Sequence, residues 1–118
     1  MHVTVYGIPN CDTVRKARAW LQAHGVEHEF HDFRRAGVPA DRLQAWCDAH
    51  GWERLLNRQG TTWRKLPPAE QSRASDAAGA QRLMCEQPSL IRRPVVEWPG
   101  QTSVGFDEAA WSRWAAGG

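Results

Sequence analysis

Within the first 33 residues the hydrophobic period changes twice. Val3 and Val5 alternate with polar neighbours at the two-residue period of a half-buried strand. Gly7, Pro9 and Asn10 interrupt it. Val14, Ala17 and Leu21 then recur at helical spacing up to Gly25, and Val26, Phe30 and Phe33 return to strand-forming types. The pattern predicts a strand, a helix over residues 12–24 with Gly25 as its stop, and a second strand over residues 26–33. Strand, helix, strand in roughly thirty residues is a βαβ unit. Such a unit commits the chain to parallel strands joined by a right-handed crossover.

Cys11 falls where the first strand has ended and the helix begins. A helix N-terminus presents unpaired N–H groups and a partial positive charge, and both favour a thiolate over a thiol. Arg15, Lys16 and Arg18 add cations within the next two turns, while Asp12 opposes them. Cys11 is therefore the candidate nucleophile. Read without that placement, a free cysteine is a small apolar core residue.

The chain has 118 residues, 42% hydrophobic and 24% charged, which suits one folded domain with a modest core. A net charge of +2 gives no electrostatic case for nucleic acid, and no apolar run reaches membrane-spanning length. The N-terminus leads straight into the first strand, so a cytoplasmic protein without a signal peptide is expected. Cys11, Cys47 and Cys85 are odd in number and widely spaced, which is not a disulfide framework. His24 and His28 are separated by the helix-ending Gly25, and there is no Cys-x-x-Cys or His-Glu-x-x-His. No metal is expected.

After a predicted loop at residues 34–39 the pattern becomes helical for about fifty residues. Leu43, Trp46 and Cys47 share a helix face over residues 41–50, ended by Gly51. Trp52, Leu55 and Leu56 suggest one more short helix, and Gly60-Thr61-Thr62 reads as punctuation. Pro67-Pro68 suits a helix start. Residues 75–87 form a further helix, with Ala80, Leu83 and Met84 inward and Pro88 as its stop. Cys47 and Cys85 read as core or neutral residues. Strand character returns at residues 92–98. Pro99-Gly100 is a turn and residues 102–106 a second strand, so the pair reads as a hairpin. Asp107 caps a last helix, whose Ala110, Trp111 and Trp114 face the sheet. Most of the seven tryptophans read as packing residues in the same way.

The order is β-α-β, a helical block at about 38–90, then β-β-α. With the block set aside, the remainder is an α/β thioredoxin-like fold, a four-stranded mixed sheet with helices on both faces. The reactive thiol of that plan sits where Cys11 does. The expectation is one domain over 1–118 with a helical insertion.

Three separated stretches carry a resemblance. Tyr6-Gly-Ile-Pro-Asn-Cys-Asp-Thr-Val-Arg-Lys-Ala, Leu55-Leu-Asn-Arg-Gln-Gly-Thr-Thr-Trp-Arg-Lys-Leu and Ile91-Arg-Arg-Pro-Val-Val resemble the arsenate reductase/Spx family, in its YffB-like branch. The resemblance spans nearly the whole chain. It implies the same fold and a catalytic Cys11, with Arg93 beside the cysteine to bind an oxyanion or the thiolate. It also implies a cis Pro94 facing Cys11. Asn10 and Thr13 would shape the loop, and Arg15 or Arg58 would hold an anionic group.

The departures from the family are as informative. The arsenate reductases use a further arginine after the Leu-Leu pair and another in the last strand; here those positions are Asn57 and Gly105. An oxyanion prefers convergent donors, so efficient arsenate reduction is not expected. Spx regulators often carry a Cys-x-x-Cys switch, and here Val14 holds the second position. The expected function is a monomeric, glutathione-dependent monothiol reductase with no bound cofactor and glutathione or another small thiol as co-substrate. Two alternatives stand beside it. One is an Spx-like regulator that binds RNA polymerase through the helical block; the other is a true arsenate reductase.

Overall fold

A computed structural model describes residues 1–117. The elements run β1 (Thr4–Gly7), α1 (Asp12–Ala23), β2 (Glu29–Asp32), α2 (Phe33–Ala36), α3 (Ala40–His50), α4 (Trp52–Leu55), α5 (Thr61–Lys65), α6 (Pro68–Gln71), α7 (Ala77–Glu86), a 3-10 turn (Pro88–Leu90), β3 (Val95–Trp98), β4 (Gln101–Val104) and α8 (Glu108–Gly117). They divide into two compact units. One joins Met1–Ala36 to Arg93–Gly118; the other is Gly37–Arg92.

The first unit holds a four-stranded mixed sheet in the order β2-β1-β3-β4. β1 pairs parallel with β2 and antiparallel with β3, and β3 pairs antiparallel with β4. This is the predicted α/β, thioredoxin-like sheet. Val3, just before β1, and Val5, Val96 and Trp98 from the strands pack with Ala17, Trp20 and Leu21 of α1 and with Ala110 and Trp111 of α8. Trp114 and Phe30 lie against the same cluster, partly buried. Trp111 is fully buried and sits at the cluster's aromatic centre. Its ring centroid lies 5.7 Å from that of Trp20, 6.3 Å from Trp98 and 5.0 Å from Phe106. The buried indole N–H groups of Trp20 and Trp98 in this cluster have no partner among the described residues, whereas that of Trp111 has one. The Trp111 indole N–H donates to Ser103 Oγ at 2.8 Å.

Some predicted boundaries move, for local reasons. The second strand is shorter than residues 26–33. Val26 N–H still bonds the Leu21 carbonyl at 2.8 Å as part of the helix exit, so pairing with β1 begins only at Glu29. Arg34 and Arg35, expected in a loop, lie in the short helix α2. The Asp32 carboxylate accepts the Arg34 N–H at 2.9 Å and starts that turn. The second hairpin strand stops at Val104: the Gly105 N–H still reaches the Pro94 carbonyl at 2.8 Å in the β3–β4 register, but Pro94 has no N–H to return the bond and Gly105 turns away with φ +85°. Thr61 and Thr62, expected as punctuation, open α5.

In the second unit α3, α4 and α7 pack on one another. Leu43, Trp46, Leu55, Leu83 and Met84 are fully buried. Asp76 caps α7, accepting the Gly79 N–H at 2.8 Å. Leu56 and Ile91 form an antiparallel bridge, flanked by Asn57 N–H to the Leu90 carbonyl and Arg92 N–H to the Leu55 carbonyl. Among the described residues no helix is long and apolar enough to cross a membrane.

Ser103 offers the sharpest test of this core. Replacing it with alanine strands a buried indole N–H, at a cost of about 1–3 kcal/mol. Denaturant unfolding of Ser103→Ala should therefore show a lower midpoint with an unchanged slope. A midpoint equal to the parent's contradicts this reading.

Candidate active site

Sheet connectivity brings the predicted pair together. Cys11 follows the C-terminal end of β1, and Arg93 precedes the N-terminal end of β3. These strands are antiparallel neighbours with Tyr6 opposite Val95, so the two ends meet at one edge of the sheet. Gly7 makes the approach close. A Cβ placed there would come 2.9 Å from Val14 Cγ2 and 3.8 Å from Arg93 Cβ. Valine is rigid at χ1 in a helix and yields poorly to such crowding. The absence of a side chain at position 7 thus lets the start of α1 and the stem of Arg93 converge.

Cys11 is the N-cap residue of α1, with extended backbone (φ −112°, ψ 126°), and is partly exposed. Its carbonyl accepts the Arg15 N–H at 2.9 Å, which closes the first helical turn. The sulfur makes no oxygen-type capping bond. It lies instead toward the N–H groups of Val14 and Thr13 and the Arg93 guanidinium. Partial burial alone pushes the thiol pKa up. The Val14 N–H, the hydrogen bond and charge of Arg93, and the Thr13 N–H outweigh it, and the pKa lies below its ordinary value. Asp12, whose charge opposes the nearby cations, is ion-paired with Arg15 on the exposed face of α1. Each largely cancels the other.

The other two cysteines behave oppositely. Burial, then the charge of Asp48 and the neighbouring Cys85, push Cys47 up to about 11. Burial and Glu86 push Cys85 up. Neither resembles a thiolate, which fits their reading as core or neutral residues.

The remaining predicted residues divide. The Arg93–Pro94 bond is cis, as expected, and Pro94 is buried. Thr13 contributes its backbone N–H to the sulfur. Asn10 is exposed in the loop. Arg15 is occupied by Asp12. Arg58 belongs to the second unit. Its guanidinium lies over Trp52 at 5.6 Å and Trp63 at 5.5 Å, and it donates to the Ala74 carbonyl at 3.2 Å. Asn57, where the family's arsenate reductases have arginine, accepts the Gln59 N–H at 3.1 Å and shapes its own loop. Gly105 occupies the other such position with φ +85°, a conformation that arginine adopts only under strain. Among the described residues no group of three His, Cys, Asp or Glu side chains is placed to hold a metal ion.

Two contributors escaped the reading of the sequence. The Val14 N–H has no side-chain signature. Gly7 looked like mere strand punctuation, although its place two residues before Pro9 was a hint of a tight approach.

The ArsC family model matches residues 6–114. The chain belongs to the ArsC family. It is 43% identical over 107 residues to an uncharacterized protein of Haemophilus influenzae, covering 90% of this chain and 92% of that one. It is 30% identical over 109 residues to the global transcriptional regulator Spx of Streptococcus pyogenes serotype M3, covering 90% and 79%. Among solved structures, a YffB protein superposes with a TM-score of 0.91 at 46% identity, over 96% of this chain and 98% of that one. An arsenate reductase-related protein from Brucella melitensis gives 0.73 at 48% identity, over 97% and 94%. This ArsC-family protein thus falls in the YffB-like branch.

Two variants test the geometry. Arg93→Ala removes the one side-chain donor to Cys11 and should slow its alkylation by iodoacetamide near pH 7 about tenfold. The rates should converge at high pH, where every thiol is ionised. Gly7→Ala should destabilise the fold by about 1–3 kcal/mol through overpacking against Val14. Equal alkylation rates at neutral pH, or an unchanged melting temperature, would count against the respective contact.

Proposed function

We propose that this ArsC-family protein is a monothiol oxidoreductase that exchanges disulfides through Cys11 and uses glutathione as co-substrate, with no bound cofactor. The supporting observation is a partly exposed cysteine at a helix N-terminus whose pKa is lowered by Val14, Arg93 and Thr13 despite burial. The Cys11 thiolate attacks one sulfur of a substrate disulfide. A Cys11–S–S–R bond forms as the substrate S–S bond breaks, and the departing thiolate takes a proton from solvent. Position 14 is valine, so no neighbouring thiol resolves the adduct. A glutathione thiolate then attacks the mixed disulfide and expels Cys11 as thiolate. Arg93 stabilises the sulfur of Cys11 both as nucleophile and as leaving group. A second glutathione attacks the glutathione–R disulfide and releases RSH with oxidised glutathione, so the two electrons that reduce the substrate come from two molecules of the external thiol. The three free cysteines and this thiol dependence suit a reducing, cytoplasmic setting.

An arsenate substrate fits less well. Asn57 and Gly105 replace two expected cationic ligands, while Arg15 and Arg58 are engaged with Asp12 and with Trp52, Trp63 and Ala74. A regulator acting only by binding a protein partner would have no use for the lowered pKa of Cys11.

Incubation with oxidised glutathione followed by mass spectrometry tests the reading. One glutathione adduct is expected, located at Cys11, removed by reduced glutathione and absent from Cys11→Ser. An unmodified protein, or an adduct confined to Cys47 or Cys85, overturns it.

A further inference from the structure

Pairing across β1 puts a second set of charges at the Cys11 end of the sheet, on the flank away from Arg93. β2 runs parallel to β1 with Asp32 opposite Gly7, so its C-terminal end lies level with the start of the Cys11 loop. There a cleft of about 460 Å³ opens, lined among others by Pro9, Arg18, Phe30, Asp32 and Arg35. Pro9 ties it to the nucleophile, since two residues of chain span at most about 7 Å.

The charges in this cleft are uncompensated. Arg15 pairs with Asp12, and Arg73 with Glu70 and Glu86. Among the described residues, neither Arg18 nor Arg35 has a carboxylate partner. Asp32 spends one oxygen on the Arg34 N–H at 2.9 Å and pairs with no cation. Arg18 is held in place. Its guanidinium lies 4.4 Å from the Phe30 ring centroid, and its Nε donates to His28 Nε2 at 3.3 Å, which leaves its terminal nitrogens available. Two unpaired cations and one unpaired anion on a concave wall match a ligand end that carries both signs.

We propose that this cleft binds the zwitterionic amino-acid terminus of a peptide thiol whose sulfur reacts at Cys11. Arg18 and Arg35 hold its carboxylate, and Asp32 holds its ammonium. The proposal rests on the thiol-exchange reading above and adds to it a recognition site. From its sulfur the γ-glutamyl arm of glutathione extends about 8 Å, comparable with the two residues of chain that separate Cys11 from Pro9.

The test uses S-methylglutathione, whose capped sulfur cannot react, titrated into isotope-labelled protein and followed by NMR. Saturable shifts are expected in the amides of residues 30–36 and in the side-chain signal of Arg18. Arg35→Glu, a change at an exposed position, should weaken the apparent affinity about tenfold. Asp32→Asn keeps the acceptor for the Arg34 N–H. It should weaken S-methylglutathione but not its N-acetyl derivative, which has lost the ammonium. Absence of saturable shifts, shifts confined to other regions, or affinity unchanged in Arg35→Glu would overturn the site. Because the probe is unreactive, this outcome is independent of whether Cys11 forms an adduct with oxidised glutathione. Binding without adduct formation would sink the catalytic reading and leave the cleft standing; the reverse would sink only the cleft.

Discussion

The contact between the Cys11 sulfur, the Arg93 guanidinium and the first amides of α1 is the constraint around which the first unit is arranged. A half-buried thiol on its own is pushed toward the neutral form. Each hydrogen bond to a charged group contributes about 1.5–3 kcal/mol, so a few of them reverse that preference. The fold must therefore deliver two backbone N–H groups and one side chain to the same atom. It does so with a helix start that follows β1, an antiparallel partner whose first residues carry the arginine, and a glycine that lets them close up. Without them burial would push the thiol up, as it does for Cys47 and Cys85.

Charge placement around this contact is selective. Asp12, the nearest acid in sequence, is paired with Arg15 on the outer face of α1 and takes no part in setting the thiol. Arg58 lies against Trp52 and Trp63 and donates to the Ala74 carbonyl, a structural task within the second unit. Arg93 is then the arginine that acts directly on the sulfur, while Arg18 and Arg35 stand uncompensated on the far flank of β1. One cation at the reacting atom and two at a distance suit a thiolate beside an extended anionic ligand better than a compact oxyanion, which needs its donors convergent.

The sheet and the place of Cys11 at the start of α1 were legible in the sequence because both are written in local patterns. The change of period near Gly7 and Gly25 locates β1, α1 and β2, and the hairpin at Pro99-Gly100 locates β3 and β4. The pairing of Cys11 with Arg93 is a contact across more than eighty positions and came only from the Arg-Pro motif of the family. The short helices α2 and α5 were missed because each spans one turn or little more and is set by its neighbours rather than by periodicity. For α2 that neighbour is the carboxylate of Asp32. The charged cleft was invisible for a related reason. Arg18, Asp32 and Arg35 come from three elements and look like ordinary surface charges until strand register aligns them. The sign of the Cys11 shift also needed coordinates, since sequence shows that Asp12 is near but not that Arg15 neutralises it.

The central claim is that Cys11 is ionised more readily than an ordinary thiol, and thiolate absorbance near 240 nm measures this directly. The difference titration between the parent protein and Cys11→Ser should give one transition whose midpoint lies below that of a free cysteine. A midpoint at or above the free-cysteine value would contradict the account, whatever the protein's activity proves to be.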